Sequence, residues 1–483
     1  MAASHLMRGL FAALPTLLAA CSIAPVGPDY AQPEQALASQ PGAARPFAGG
    51  TDSATARATF SSDPLPAHWW QLYHDVALDR LIAQAFEHNT DLRLAMANLE
   101  RERAIVDEAD AARNPSVTVG AGETYGHVSG LSLLQKDYRP PNDYHYSGSV
   151  ALAYQVDLFG QIRRAIEAAD ASSEAAQAAA DLVRVNVAAG TTRAYAEICT
   201  TNLRLQTAQR SVELQSEAVD VSTRLQQAGR AGTIDVARAK AQLNQLKASL
   251  PPLQAQRQAA LYRLATLTGA LPQDFPRDVA DCATPPQVAG AVPVGDGAQL
   301  LRRRPDIRQA ERLLASSTAR IGVAVGDLYP KITLGLGAGS AGTVAGFART
   351  DTVSWSVGPL ITWTVPNTGA AQARIAQAEA TTRGALARFD GTVLTALRET
   401  ETALATYARE LDRHAALEAA RNDSQTVAQQ ARALYRNGKT GYLDALDAER
   451  TLASAEAALA ASDAQLADDQ TALFLALGGG WES

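Results

Sequence analysis

The chain has 483 residues, and its 43 Lys and Arg residues against 50 Asp and Glu residues give a formal net charge of −7. Because no basic run is longer than Arg302–Arg304, this balance argues against a nucleic-acid-binding surface. Hydrophobic residues make up 47% of the chain, but Ala supplies much of that and aromatic residues are only 6%. Such a composition favours long, closely packed helices over a large globular core.

The N-terminus predicts a lipoprotein signal peptide over residues 1–20. Arg8 supplies the positive charge, residues 10–18 form a short apolar region, and two alanines precede Cys21. The run Leu18–Cys21 has the form of a lipobox, whose cysteine is modified with diacylglycerol and then N-acylated, which makes a stable anchor. The alternative is an ordinary signal peptide with a chance cysteine. Ser22, where an Asp would indicate retention at the inner membrane, favours the outer membrane.

The mature chain predicts a lipid-anchored segment at 21–66, followed by two copies of one structural unit. Beyond residue 20 no run of 18 apolar residues occurs, so the chain must enter a membrane as β-strands if it enters one. Residues 225–235 align with 434–444 at a constant offset, and residues 115–120 align with 330–335. We therefore predict repeat 1 at 67–270, a Pro-rich connector at 271–295 and repeat 2 at 296–483. Each repeat reads as helix, strand, loop, strand, very long helix, tight turn and helix.

The predicted strands lie at about 116–125 and 144–157 in repeat 1, and at about 331–339 and 353–365 in repeat 2. They alternate apolar and polar residues and carry Tyr and Trp near their ends, which is typical of transmembrane strands with one lipid-facing and one lumen-facing side. An amphipathic soluble sheet is the alternative. Four strands cannot close a lumen, and three chains would supply twelve.

The long helices predict coiled coils with their tips at 229–232 and 438–441. No Pro interrupts residues 161–228, a run of roughly 100 Å at 1.5 Å per residue. Apolar residues recur at heptad spacing, and a return helix is expected to end near Gly269. The heptad residues are Ile198, Leu205, Val212 and Val219, then Leu452, Leu459, Leu466 and Leu473. Gly229, Gly232, Gly438 and Gly441 mark the reversals.

The sequence contains no strong motif for binding a cofactor or a metal, or for catalysis. The run from Gly337 to Gly342 matches a dinucleotide fingerprint, but it continues into a loop at Thr343 instead of a helix. The histidines fall singly, so we predict no metal, no cofactor and no catalytic residue. Cys199 and Cys282 are expected at similar heights, since one lies about 30 residues before the tip and the other follows the return helix. The sequence leaves open whether they are bonded.

Several motifs resemble those of the TolC-type outer-membrane factors, in the NodT-like lipoprotein branch. The resemblance covers nearly the whole mature chain. The motifs that carry it are Leu18–Cys21 with Gly27–Tyr30, Trp69–Trp70, Asp157–Gly160, Arg302–Ile307, Tyr435–Gly438 with Tyr442–Asp444, and Leu477–Trp481. One departure is Val365–Gly369, where the family usually has an aromatic-Asp-x-Gly element.

The resemblance implies a membrane α/β protein, in which a homotrimer forms a twelve-stranded outer-membrane β-barrel continued by a long α-helical coiled-coil barrel across the periplasm. Its helical tips would dock on a periplasmic adaptor (membrane fusion) protein attached to an inner-membrane pump. The duct would be a passive exit for small molecules from an RND-type efflux pump. A type I or other ABC-type exporter is the alternative, and a trimeric structural lipoprotein is a further one.

The resemblance also places a periplasmic gate at the tip of repeat 2. Leu443 and Asp447 lie i, i+4 on one helix face, so threefold symmetry would repeat them as a ring of leucines above a ring of carboxylates. Tyr435, Arg436 and Arg450 are expected to support the closed state through bonds to a neighbouring helix. The alternative is a solvated helix face with Leu443 packed inside the coiled coil.

Overall fold

The computed structural model describes residues 25–288, 290–347, 349–365 and 368–481, so the predicted signal peptide and Cys21 lie outside it. The helices are α1 Ala54–Thr59, α2 Val76–His88, α3 Thr90–Ala111, α4 Gln161–Gln227, α5 Thr233–Ala248, α6 Leu250–Leu267, α7 Gly297–Arg303, α8 Pro305–Gly326, α9 Thr368–Arg436 and α10 Tyr442–Leu477. The strands are β1 Phe60–Ser61, β2 Ser116–Gly126, β3 Asp143–Val156, β4 Val292–Pro293, β5 Lys331–Thr343 and β6 Val353–Thr362. Among the described helices, none is long and apolar enough to cross a membrane.

The chain divides into two compact units, and the first contains a four-stranded antiparallel sheet. This unit holds the described residues up to Gln32 together with residues 100–175 and 311–387. Its strands follow the order β2-β3-β5-β6, so both hairpins and the junction between the repeats are antiparallel. Val150 lies opposite Val119 on one side and opposite Ala338 on the other, and Ala338 faces Trp355. This register collects most of the large apolar residues on one face, while the other face is mainly Ser, Thr, Gly and Ala, with Leu360 opposite Thr333 as an exception.

Two strand boundaries in repeat 2 differ from the prediction. Strand β5 continues to Thr343 instead of ending near 339, because its small residues keep pairing with β3 as far as His145 opposite Thr343. Strand β6 ends at Thr362 instead of 365. Directly after it, the Trp363 indole N–H donates to the carbonyl of Leu328 at 3.1 Å, which ties the chain to the segment before β5 and not to the sheet ladder.

The junction between β3 and α4 holds the N-terminal segment in place. Asp157 caps the helix, since its two carboxylate oxygens accept the N–H groups of Ile162 and Arg163 at 3.0 and 2.9 Å. The side chain of Arg164 is 3% exposed, and it donates to the carbonyl of Val26 at 3.0 Å. It also pairs with Asp29 at 2.7 Å. Residues 26–29 are thus fixed beside the end of β3.

The second unit contains residues 33–99, 176–310 and 388–481 as far as they are described, and the predicted heptads contribute part of its core. Ile198, Leu452 and Leu473 are buried, with relative exposures of 0%, 6% and 0%. Val219 packs with Leu243 in one cluster. The heptad pattern therefore marked the buried side of these helices correctly.

Helices predicted as single are broken at three positions. Asn89 separates α2 from α3, and its carboxamide oxygen accepts the N–H groups of Asp91 and Leu92 at 2.9 and 3.1 Å. The aligned residue in repeat 2, Arg304, separates α7 from α8. The predicted single return helix of repeat 1 is also wrong. It is divided into α5 and α6 at Ser249, because prolines that cannot donate helical hydrogen bonds occupy the first turn of α6.

The connector is bound to α4 by a disulfide and by side chains. Cys199, which is fully buried in α4, is bonded to Cys282, with their Cα atoms 4.7 Å apart. The Asn202 amide donates to the carbonyls of Ala280 and Cys282 at 2.8 and 2.7 Å. Arg257 from α6 donates to Asn202 at 2.7 Å and to the same Ala280 carbonyl. The bond and these contacts together hold the connector against two helices.

Candidate functional site: the two helical tips

The two tips have the same backbone construction. Gly229 and Gly438 follow the long helices with φ of +70° and +68°, a left-handed conformation that glycine adopts without a Cβ penalty. The residue after each glycine closes the helix end, as the Arg230 N–H bonds the carbonyl of Leu225 at 2.8 Å and the Lys439 N–H bonds that of Leu434 at 2.9 Å. The return helices α5 and α10 then begin directly after Gly232 and Gly441. All four predicted tip glycines thus lie at the reversals.

A small apolar cluster lies beneath the tips and joins the two hairpins of the second unit. Val219 of α4, Ala239 and Leu243 of α5, and Tyr442 and Leu446 of α10 form it. The rings of Tyr435 and Tyr442 pack at 5.5 Å. Burial raises the pKa of both phenols, although the neighbouring Ser222 hydroxyl acts in the opposite direction. These side chains bind the two hairpins to each other within one chain.

The predicted gate residues point away from that cluster. Leu443 is 54% exposed, and Asp447, one turn later on α10, is also exposed. Tyr442 and Leu446 between them are buried, so α10 has one face in the core and one face free. Leu443 is therefore not packed inside the coiled coil of its own chain, which was the alternative interpretation of this face.

The three predicted supporting residues have different surroundings. Arg450 donates from Nε to the Gln242 side chain on α5 at 2.9 Å, so its partner is a neighbouring helix of the same chain. Tyr435 packs against the apolar cluster beneath the tips. Arg436 is exposed and lines a small cavity of about 60 Å³ together with Glu217 and Tyr442. Tyr435 lines the same cavity as Arg436, whereas Arg450 is not among the residues that line it.

One ion pair at this tip was missed by the sequence analysis. Arg432 on α9 pairs with Glu449 on α10 at 2.6 Å, and both side chains are more than two-thirds buried. The two residues stand at comparable distances before and after the reversal at 438–441, so opposite charges placed on either side of the turn were the available signal. The pair clamps the two helices of repeat 2 just behind the tip.

The matching face of repeat 1 has different chemistry. Ile234 and Arg238 occupy the positions that align with Leu443 and Asp447, and both are exposed. Arg238 lies 4.0 Å from Asp235 on its own helix. Among the described residues, no group of three or more His, Cys, Asp or Glu side chains could hold a metal ion. The tips therefore offer one apolar and acidic face and one apolar and basic face.

Comparisons with known proteins identify the family. The model of the outer membrane efflux protein family matches residues 81–270 and again residues 297–479. The chain is 28% identical to Nodulation protein T of Rhizobium leguminosarum bv. trifolii over 460 residues, which cover 94% of each protein. It is 30% identical to the toluene efflux pump outer membrane protein TtgI of Pseudomonas putida, and the alignment covers 96% of each.

Solved structures agree with this result. The outer-membrane channel OprN superposes with a TM-score of 0.85 at 36% identity, covering 94% of this chain and 99% of that chain. VceC from Vibrio cholerae superposes with a TM-score of 0.78 at 26% identity, covering 87% of this chain and all of the other. The predicted fold and its two repeats are confirmed, since the family model matches once in each repeat. The chain belongs to the outer membrane efflux protein family, and it is not an enzyme but an outer membrane channel of the kind that serves tripartite efflux pumps.

Proposed function

We propose that three copies of this chain close one duct, the exit channel of an RND-type tripartite pump for small molecules. The observation that carries the proposal is the sheet of the first unit. Its apolar face leaves Val119, Trp355 and Val357 between 67% and 75% exposed. Strands β2 and β6 lie at the two edges of this sheet. Because open strand edges are not tolerated in lipid, each edge requires a second copy.

The length of the apolar face fits a membrane. On β6 the outward residues run from Val353 to Ile361, and Trp363 follows directly. About ten residues at ~3.3 Å, tilted by roughly 40°, span about 25 Å, which is the height of the apolar band of outer-membrane barrels. Twelve such strands from three chains would enclose a lumen lined by the Ser, Thr and Gly face.

The partners are a periplasmic adaptor protein and an inner-membrane pump. The relatives that support this are named as outer membrane proteins of toluene and solvent efflux pumps. The adaptor would contact the tips at Gly229, Gly232, Gly438 and Gly441. Leu443 and Asp447 would form the closed gate, with Tyr435, Arg436 and Arg450 supporting it. A ligand shifts a conformational equilibrium only by the difference in its affinity for the two states. The adaptor would therefore open the gate if it binds more tightly to the state in which the helical tips are spread apart.

The chain is also proposed to be lipid-anchored at Cys21. The Val26 N–H bonds the carbonyl of Phe159 at 3.0 Å, three residues after the end of β3. Cys21 stands only four positions before Pro25, a reach of at most about 15 Å. Acyl chains on Cys21 would therefore enter the leaflet at the periplasmic end of the strands. Mass spectrometry of the N-terminal peptide tests this: an unmodified start at another residue contradicts it.

Detergent-extracted protein tests the duct directly. We expect a trimer by mass measurement, and conductance steps after its insertion into planar lipid bilayers. A monodisperse, folded monomer would contradict the closure of the sheet by three chains. A trimer that never conducts would contradict the duct and favour a structural lipoprotein.

A further inference from the structure

The N-terminal segment from residue 33 to residue 61 lies against helix α9 and contacts it through three acidic side chains. The Leu37 N–H donates to Asp390 at 2.9 Å. The N–H groups of Ala48 and Gly49 donate to the two oxygens of Glu401 at 2.9 and 2.7 Å. The hydroxyl of Thr55 donates to Asp412. All these residues belong to the second unit.

The three carboxylates lie on one face of α9 at equal intervals. Asp390, Glu401 and Asp412 are each 11 residues apart. Eleven residues make slightly more than three full turns, so the side chains point in nearly the same direction and follow each other at about 16 Å along the axis. This spacing makes a straight ladder of hydrogen-bond acceptors.

The contacts of the N-terminal segment are less evenly spaced than the carboxylates, since Leu37 and Ala48 are 11 residues apart but Ala48 and Thr55 are only seven. At each of the three contacts, one residue that binds a carboxylate stands next to a buried apolar residue: Ala36 is 0% exposed, Phe47 is 4% and Ala56 is 0%. An extended chain of 11 residues would reach about 36 Å, more than twice the helical interval. The 3₁₀ turn Leu37–Ser39 lies between the first two contacts and shortens the chain there.

The middle contact has the closest fit. Glu401 accepts two backbone N–H groups at once, and bonds to an ionised acceptor are the stronger kind. A Cβ on Gly49 would lie 3.0 Å from the Glu401 carbonyl oxygen, so glycine allows the close approach. Between the Glu401 and Asp412 contacts, Arg409 of α9 pairs with Asp52 at 3.2 Å. These contacts use the backbone of the segment as much as its side chains.

We propose that α9 carries a built-in docking surface whose occupant is this chain's own N-terminal segment, and that residues 33–61 act as a strap held at three separable points. The strap fixes residues 390–412 of the long helix to the segment that leads to the N-terminus. The segment is held by hydrogen bonds that its donors, mainly backbone N–H groups, make to the three carboxylates of α9. The proposal depends neither on conduction nor on the number of chains.

Chymotrypsin digestion of the full-length, detergent-extracted protein tests the strap. The bond after Phe47 is a cleavage site whose aromatic ring is buried and whose N–H, that of Ala48, is held by Glu401. Glu401→Gln keeps the shape of the side chain but removes its charge, so we expect cleavage after Phe47 to become about tenfold faster. Glu418→Gln, at an exposed position of the same helix, is the matched control and should leave the rate unchanged. Equal rates in the two variants would overturn the proposal.

Hydrogen exchange tests whether the three contacts can be released independently. It uses other variants, so it can be measured even if Glu401→Gln does not accumulate. We expect Asp390→Asn to speed exchange in the peptide that contains Leu37, and Asp412→Asn to speed it in the peptide that contains Thr55. Each variant should leave the other peptide unchanged. Unchanged exchange in both variants would show that the carboxylates do not hold the segment.

Discussion

The two helical tips share a backbone but differ in the face that they present. Both long helices end in a glycine with positive φ, and both return helices begin at the residue after the second glycine of the turn. Yet the exposed face after the turn is Ile234 with Arg238 in repeat 1 and Leu443 with Asp447 in repeat 2. The turn geometry therefore constrains a few glycines, while the exposed helix face is free to take opposite charges.

The largest effect is expected from removal of the acidic tip face. The double variant Leu443→Ala with Asp447→Ala should raise single-channel conductance severalfold and weaken block by divalent cations from the periplasmic side, because it would delete the proposed apolar contact and the proposed ring of carboxylates. Bilayer recording measures both. The matched variant, Ile234→Ala with Arg238→Ala, should change them much less. Equal effects of the two variants would place the constriction elsewhere.

A second ring of carboxylates, placed on the tip of repeat 1, should strengthen cation block instead of weakening it. Arg238→Asp gives repeat 1 the charge of repeat 2, so the throat of a trimer would have six carboxylates instead of three. We expect cation block at a severalfold lower concentration, with single-channel conductance in the absence of blocker little changed. If block is unaffected, the faces of repeat 1 do not line the same throat.

The shared turn geometry predicts equal stability costs at the two tips. Gly229→Ala and Gly438→Ala each force a Cβ into a left-handed conformation and should lower the free energy of unfolding by about 1 kcal/mol. Gly441→Ala, where φ is −74°, is the control and should cost less. Thermal unfolding measures the three. A large cost at only one of the positive-φ glycines would show that the two turns are not equivalent.

The smallest effect is expected from the ion pair behind the tip of repeat 2. Arg432→Gln breaks the partly buried pair with Glu449 and should cost about 0.5 kcal/mol, reduced in high salt. Arg238→Gln in repeat 1, whose carboxylate neighbour is at 4.0 Å, should have almost no effect on unfolding. A cost that is the same for both arginines would contradict the clamp.

Much of the architecture was predictable because its signals are local and periodic. The alternation in the strands identified both faces of the sheet, and the heptads identified the buried side of the long helices. The ends of elements were predicted less well. Strand β5 runs four residues past its predicted end because β3 continues beside it, and no signal within residues 340–343 announces that partner.

The candidate site divides in the same way. The sequence placed Leu443 and Asp447 on one helix face, since residues four apart lie one turn apart. The sequence did not predict the ion pair of Arg432 with Glu449. It also did not predict that Asp390, Glu401 and Asp412 bind the N-terminal segment. These contacts join residues that are 17 to more than 350 positions apart, and single-chain periodicity carries no information about such pairs.

The sequence by itself determined the repeat, the element types, the glycines of the turns and the two charges of the tip faces, because each follows from composition or short-range spacing. Only the tertiary structure decided which cysteine lies beside which, where the N-terminal segment runs, and that Leu443 is exposed while Tyr442 is buried. The physical reason is that these outcomes depend on which helix packs against which. That choice is set by the fit of whole faces and not by any one segment.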